Sequence, residues 1–214
     1  STRKMYHLFS DLGIDNIDKC MVSRVAGMLN DKIDVWLRKP LQSEYSFIWV
    51  DGTYTSILTE GEEYNVRRYR KSVAIIYAIG IDAAGKREVL HMGIYDSENA
   101  RNWGHFFEEL RARGVSRSEL WISDEDKGLS NAFNRCFTGQ LRQRCIVHWG
   151  RNLEKYVALK DLHKYKALIS KVQTAANIPE FDEYHDSLIA LSKQDNNEKL
   201  TDFLIRSKPE IIVS

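Results

Sequence analysis

Residues 45–52 read Tyr-Ser-Phe-Ile-Trp-Val-Asp-Gly, an apolar run that closes on an aspartate and a glycine. A short apolar run rich in aromatic and β-branched residues predicts a buried strand. The Asp-Gly pair is typical of a turn, so the strand is expected to end there. The run therefore predicts a first strand with the carboxylate of Asp51 at its carboxyl end.

The residues that follow predict an alternation of strands and helices. Strands and helices that alternate in this way are typical of an α/β domain. The predicted order over residues 45–148 is β-β-β-α-β-α-β. The predicted elements are strands at 72–79 and 87–95 joined by a hairpin loop at 82–85, a helix at 97–113, a strand at 118–123, a helix at 127–137 and a fifth strand at 141–147.

The flanking regions show helical spacing only. In residues 1–40 the apolar residues predict two helices, of which the second, beginning near Asp18, either lies in a DNA major groove or packs against the rest of the protein. Residues 149–214 predict an all-helical region interrupted at Pro179. The expected division is thus 1–40, 45–148 and 149–214.

The composition limits the classes of function. Lys and Arg number 31 against 30 Asp and Glu, and a net charge of +1 excludes a histone-like polyanion binder but not a nucleic-acid enzyme with a local basic face. Three widely spaced cysteines exclude a disulfide framework and are typical of a reducing compartment, so we expect a cytoplasmic protein. No apolar run is long enough to predict a membrane span.

Two aspartates, Asp51 and Asp124, each follow an apolar strand pattern. In a β-β-β-α-β order, a right-handed crossover can place the first and fourth strands side by side and parallel. The two carboxylates would then come within reach of one metal ion, and hard oxygen ligands select Mg²⁺ or Mn²⁺ over Zn²⁺. The alternative for either aspartate is an ordinary turn residue.

Several blocks of the sequence resemble, in the same order, the mutator-type bacterial insertion-sequence transposases. The similarity runs from residue 1 to about residue 157 and continues more weakly to the end. The blocks are residues 1–4 and 22–24 in the lead-in, 49–54, 79–90, 122–124 with 128–129, and the Cys-x-x-His segment 143–148 with 151–153.

The resemblance implies a ribonuclease H-like catalytic fold with an Asp-Asp-Glu metal triad, in which the helical region is an insertion between the second Asp and the Glu. It implies that Asp51 and Asp124 are catalytic residues that hold Mg²⁺ or Mn²⁺. The implied function is a DNA transposase that nicks element ends and transfers 3′-hydroxyl strands to target DNA. Its implied partners are transposon terminal repeats, target DNA and, in the full-length enzyme, further copies of itself.

The sequence departs from the family pattern at the third carboxylate. A Thr-Asn-Ala-x-Glu-like motif does not occur, and residues 203–212 resemble the stretch before it, so we expect the chain to stop short of this Glu. The start lacks Met, so we also expect residues upstream. Two alternatives follow: a non-catalytic DNA-binding remnant or regulator, and a stand-alone structure-specific nuclease.

The remaining candidates are a Cys-x-x-His pair and a set of arginines. Cys145 and His148 form a family signature of uncertain role. Their Cys-x-x-His spacing matches one half of a four-ligand zinc site. The alternative is a cysteine packed in a strand, with the histidine hydrogen-bonding near the site. Arginines contact phosphates well, although a solvated charged face gives the same pattern. The DNA-binding candidates are Arg67, Arg68, Arg142, Arg144 and Arg151.

Overall fold

The computed structural model describes residues 30–59 and 69–212. The chain divides into two compact units, residues 1–41 and residues 42–214. In the first unit residues 30–38 are helical (α1). The predicted lead-in helices before residue 30 lie outside the described residues, as do Arg67 and Arg68.

The second unit contains five strands and, among the described residues, six helices. Their order confirms the predicted β-β-β-α-β-α-β pattern, followed by helices alone. The elements are β1 (Glu44–Thr59), β2 (Tyr69–Ile81), β3 (Arg87–Tyr95), α2 (Ala100–Ala112), β4 (Arg117–Ser123), α3 (Lys127–Cys136), β5 (Arg142–Arg144), α4 (Ile146–Glu154), α5 (Leu162–Thr174), α6 (Ile178–Gln194) and α7 (Glu198–Ile211). Within the described ranges, none of the helices is long and apolar enough to cross a membrane.

The five strands form one mixed sheet in the order β3-β2-β1-β4-β5. Strand β1 pairs with β2, and β2 with β3, in antiparallel orientation, whereas β1 pairs with β4, and β4 with β5, in parallel. The predicted parallel pairing of the first and fourth strands is therefore confirmed. Its register sets Trp49 opposite Ile122.

Strand β1 is longer than predicted, and Asp51 does not end it. The strand runs on to Thr59, because β2 continues to pair with it and sets Tyr77 opposite Asp51. The expected turn at Asp51 and Gly52 is therefore wrong. What ends near Asp51 is the parallel pairing with β4, whose last matched pair is Trp49 and Ile122.

The loop between β2 and β3 forms as predicted. Gly85 has a φ of 79°, a left-handed conformation that a side chain would disfavour. The Asp82 carboxylate accepts hydrogen bonds from the backbone N–H groups of Ala84 and Lys86, each at 2.9 Å. A local Asx turn therefore closes this hairpin.

Strand β5 is shorter than predicted. Only Arg142–Arg144 pairs with β4, and the predicted strand at 141–147 is wrong beyond it, because β4 itself ends at Ser123. The chain enters α4 at Ile146, where helical spacing buries Trp149, Gly150 and Leu153. The expected division between residues 148 and 149 thus falls inside one helix, and the three-part division remains a prediction.

An aromatic cluster fastens α2 and α3 to one face of the sheet. Its centre is Phe107 of α2, whose ring lies 6.2 Å from that of Trp121 on β4 and 5.8 Å from that of Phe133 on α3. Trp121 is 1% exposed and lies 4.4 Å from the ring of Phe137. Full burial of such side chains stabilises by about 1.5–3 kcal/mol each, so this cluster fixes the position of β4 against the helices.

A second core joins the helices that follow β5. Its buried members come from α4 to α7, and Trp149 donates a hydrogen bond from Nε1 to Ser207 Oγ at 2.8 Å. The core residues are Trp149, Leu153, Tyr165, Ile169, Val172, Phe181, Leu188, Leu200, Phe203, Leu204 and Ile211.

This helical core contains a histidine, His185, that is 0% exposed. Its ring lies 5.6 Å from that of Phe181 and 6.1 Å from that of Trp149. Burial, and then the positive charge of Lys208, lowers the pKa of His185 below its ordinary value. The imidazole is therefore neutral in the folded protein at neutral pH.

We predict that the protein loses stability as the pH falls below about 6.5, and that His185→Phe reduces this loss. The reason is that His185 takes up a proton in the unfolded chain while the folded chain keeps it neutral. One such proton gives a slope of up to about 1.4 kcal/mol per pH unit. Urea unfolding at several pH values measures it. The exposed His105→Gln should retain the wild-type slope, and an unchanged slope in His185→Phe would contradict the prediction.

Candidate active site

Asp51 is held by its neighbours on β1 and β2. The hydroxyl of Tyr77 donates to Asp51 Oδ2 at 3.0 Å, and the backbone N–H of Gly52 donates to Asp51 Oδ1 at 2.8 Å. The Asp51 side chain is 35% exposed. Its carboxylate is therefore oriented by two donors and remains open on one side.

Asp124 lies at the same level of the sheet as Asp51. Each aspartate comes two residues after the matched pair of Trp49 and Ile122 on adjacent parallel strands. The backbone N–H of Glu125 donates to Asp124 Oδ1 at 2.8 Å, and the Asp124 side chain is half-buried. The register thus brings together the two aspartates that the sequence predicts.

A third carboxylate near this pair, that of Glu98, was not predicted. It packs on Gly52, where an added Cβ would lie 2.5 Å from Glu98 Cδ. Burial, followed by the negative charges of Asp51, Asp126 and Asp124, raises the pKa of Glu98. No periodic pattern marks Glu98, which lies in the connection between β3 and α2; a glycine directly after Asp51 was the only sign of a close approach.

Asp126 contributes charge to the same region but has a structural role of its own. It is the N-cap of α3, and its carboxylate accepts a hydrogen bond from Leu129 N at 2.8 Å. A cap of this kind stabilises a helix by about 1 kcal/mol. The acidic region thus has one aspartate on β1, one directly after β4, one glutamate before α2 and one capping aspartate.

Cys145 and His148 border the Asp51 carboxylate from α4. Cys145 occupies the N-cap position of that helix instead of a strand, and His148 Nε2 lies 3.9 Å from Asp51 Oδ1. Burial, the charge of Asp51 and the proximity of Cys145 raise the pKa of Tyr77. A cavity of about 290 Å³ opens beside them, lined by Trp49, Val50, Asp51, Tyr77, Ile79, Arg87, Ile122, Cys145 and His148.

The predicted DNA-contacting arginines occupy three different environments. Arg142 is half-buried and donates to Ser123 Oγ at 2.8 Å. The Arg144 side chain is 4% exposed and lies 2.9 Å from Glu210 and 2.5 Å from Glu125. Arg151 is exposed on α4. Of these three, only Arg151 has its side chain largely in solvent.

The carboxylates of Asp51 and Asp124 fit a hard divalent cation as two of its ligands. Asp51 and Asp124 have oxygen ligands of the type that Mg²⁺ and Mn²⁺ prefer, and the pKa of Glu98 beside them is raised first by burial and then by their negative charges and that of Asp126. Over residues 30–59 and 69–212, however, no three His, Cys, Asp or Glu side chains converge as a metal-binding group.

The proximity of the Asp51 and Glu98 carboxylates can be tested directly. We predict that Asp51→Asn lowers the pKa of Glu98, because it removes the largest of the charges that raise it. The carboxyl ¹³C signal of Glu98, followed by NMR through a pH titration, measures this shift. Asp202→Asn on the exposed side of α7 is the matched control and should leave the titration unchanged. An unchanged Glu98 pKa in Asp51→Asn would mean that the two carboxylates are not neighbours.

Comparison with known proteins identifies the family. Residues 1–212 match the family model "Transposase, Mutator family". The transposase for insertion sequence element IS256 in transposon Tn4001 of Staphylococcus aureus is 31% identical over 173 residues, which are 80% of this chain and 43% of that protein. The transposase for insertion sequence element IS1081 of Mycobacterium tuberculosis is 31% identical over 155 residues, 72% of this chain and 35% of that protein.

Among solved structures, a chain of the Drosophila P element transposase strand transfer complex aligns with 95% of this chain and 53% of its own length. Its TM-score is 0.38 and its identity 12%, a likeness too remote to carry an argument. The chain spans less than half the length of the two curated relatives described above. The match over residues 1–212 nevertheless covers nearly the whole chain, which belongs to the Mutator family of transposases.

Proposed function

We propose that this chain is the part of a metal-dependent DNA transposase that carries the first two carboxylates of an Asp-Asp-Glu triad. One observation carries the proposal: Asp51 and Asp124 each come two residues after Trp49 and Ile122, the last matched pair of the parallel strands β1 and β4. The family match supports transposition as the process. The activity assigned is the nicking of element ends and the transfer of 3′-hydroxyl strands to target DNA.

The proposed catalytic core is ribonuclease H-like. The sheet order β3-β2-β1-β4-β5, with an antiparallel β1-β2-β3 meander followed by two parallel strands, supports this assignment. The helices α5 to α7 would be the insertion that separates the second Asp from the Glu. This assignment makes Asp51, within β1, and Asp124, directly after β4, the centre of the reaction.

In the proposed reaction, Asp51 and Asp124 hold Mg²⁺ or Mn²⁺. The bound ion would supply charge neutralisation and an activated oxygen nucleophile for phosphoryl transfer, so no covalent nucleophile is required. Tyr77 and the Gly52 amide orient the Asp51 carboxylate, and the Glu125 amide orients that of Asp124. The third ligand would come from a Thr-Asn-Ala-x-Glu-like motif that this chain does not contain.

The proposed partners are the terminal repeats of a transposon and its target DNA. Arg151, exposed on α4 within one turn of His148, is the predicted DNA-binding arginine that we assign to a phosphate near Asp51. Self-association of the full-length enzyme and a cytoplasmic location belong to the same proposal. Arg67 and Arg68 remain candidates from the sequence.

A second candidate function is a non-catalytic DNA-binding remnant or regulator derived from such a transposase. The observation that favours it is the lack, within the described parts of the chain, of three converging metal-binding side chains. Under this candidate function the protein binds DNA but does not cleave it, because Asp51 and Asp124 alone do not form a working metal site.

We predict that the chain binds Mn²⁺ through Asp51 and Asp124. Paramagnetic broadening of the Gly52 and Glu125 amide signals measures it, and Asp51→Asn or Asp124→Asn should weaken binding at least roughly tenfold, because each variant removes a charged ligand. Asp202→Asn should bind as the wild type does. In a longer chain that supplies the missing motif, the same two variants should abolish Mg²⁺-dependent end cleavage; undiminished cleavage by either would refute the assignment.

A further prediction concerns DNA. The affinity for a terminal-repeat duplex should fall steeply with salt, and Arg151→Ala should reduce the slope of log K against log salt by about 1, the value for one lost phosphate contact. Fluorescence anisotropy at several salt concentrations measures the slope. Arg206→Ala is the control, because Arg206 is also an exposed arginine but lies on α7. Salt-dependent binding with no cleavage in Mn²⁺ by the lengthened chain would favour the remnant over the enzyme.

A further inference from the structure

Arg144 is an enclosed cation at the boundary between the sheet and the helices. It is the last residue of β5, and its side chain is only 4% exposed. Its Nη1 lies 2.5 Å from Glu125 Oε2 and 2.9 Å from Glu210 Oε2, and the guanidinium lies 5.5 Å from the centre of the Phe203 ring. Because a buried charge is stable only when it is paired, Arg144 keeps both glutamates in place.

The two glutamates belong to different parts of the chain. Glu125 directly follows Asp124, and its backbone N–H donates to Asp124 Oδ1 at 2.8 Å. Glu210 lies in the last turn of α7, the final described helix. One guanidinium therefore connects α7 to the residue whose amide orients the Asp124 carboxylate.

Arg142, two residues earlier on β5, contacts the same segment. Its Nη1 donates to Ser123 Oγ at 2.8 Å and to the Asp124 carbonyl oxygen at 3.2 Å, and its Nη2 donates to Ser130 Oγ at 2.9 Å. The passage from β4 into α3 is thus held by two arginines of β5, Arg142 through Ser123, Asp124 and Ser130, and Arg144 through Glu125.

Helix α7 is seated on the same unit by a second polar contact. Ser207, one turn before Glu210, accepts the hydrogen bond from Trp149 Nε1 in α4. Helix α4 also carries His148, which borders Asp51. Helix α7 is therefore linked to α4 by the buried Trp149–Ser207 hydrogen bond as well as to Glu125 through Arg144.

We propose that Arg144 is a positioning residue that couples the seating of α7, through Glu210, to the orientation of the Asp124 carboxylate, through Glu125. Only the part of this inference that concerns metal binding rests on the proposed function. Because the Arg144 side chain is only 4% exposed and its Nη1 faces two carboxylates, we assign it a role within the protein and not as a DNA contact.

The test uses the whole 214-residue chain without metal. In Glu210→Gln, which removes the charge but keeps the shape, we expect the Glu125 amide to exchange its hydrogen at least roughly tenfold faster and its chemical shift to move. Arg144→Lys should give a smaller change of the same sign, because lysine keeps the charge but loses the planar fork. Glu198→Gln, exposed at the start of the same helix, should leave the Glu125 amide unchanged.

A merely structural ion pair predicts a different result. It would lower the global stability and speed the exchange of core amides such as that of Ile76 together with that of Glu125. The coupling is supported if the Glu125 response exceeds the response of Ile76. It is overturned if Glu125 is unaffected in both Glu210→Gln and Arg144→Lys, or if its response is no larger than that of Ile76.

A Mn²⁺ titration then separates this inference from the proposed function. If the wild type binds Mn²⁺ at Asp51 and Asp124, Glu210→Gln should weaken that binding roughly tenfold, the lower range for loss of an outer partner of a ligand. If the wild type binds no Mn²⁺ there, the proposed metal site fails, and the metal-free response of Glu125 still decides the coupling. Wild-type Mn²⁺ affinity in Glu210→Gln would overturn the link to Asp124.

Discussion

The parallel pairing of β1 with β4 is the constraint on which the site depends. Side chains along a strand alternate between the two faces, so a slip of one residue would send Asp124 to the face opposite Asp51. The register is fixed where Ile48 meets Trp121, both of them almost fully buried. Trp121 is in turn enclosed by the rings of Phe107, Phe133 and Phe137. The hydrophobic core thereby determines the spacing of two carboxylates that it does not touch.

The sequence was informative where a rule of connection or a clear periodicity applied. The parallel neighbourhood of the first and fourth strands follows from the right-handed crossover rule, and the alternation in β3 gave its bounds at Arg87 and Tyr95 correctly. Local turn preference failed at Asp51 and Gly52, because the long ladder with β2 overrides it. The run Arg-Gln-Arg-Cys-Ile-Val looked like one strand because the change of period at Ile146 falls inside it.

The two aspartates of the candidate site could be predicted, whereas their supporting groups could not. Tyr77 reaches Asp51 because the register of β1 and β2 sets them opposite each other, a relation between residues that are 26 apart in sequence. Glu98 comes near through the path of the connection that leads into α2, which no pattern encodes. Single polar residues in such places have neither periodicity nor a motif, so only the folded chain reveals them.

The arginines near Asp124 show how the chain divides its positive charge. Arg144 is buried and Arg142 half-buried, and their guanidinium groups contact Ser123, Ser130, Glu125 and Glu210. A basic stretch of sequence therefore does not amount to a basic surface. With a net charge of +1, the attraction to DNA that we propose would come from side chains such as Arg151 that remain exposed. The enclosed arginines have another consequence. Arg144 links β5 to α7, and the helices after the sheet belong to the same compact unit as the sheet. A displacement of α7 would therefore move Glu125, the residue next to Asp124.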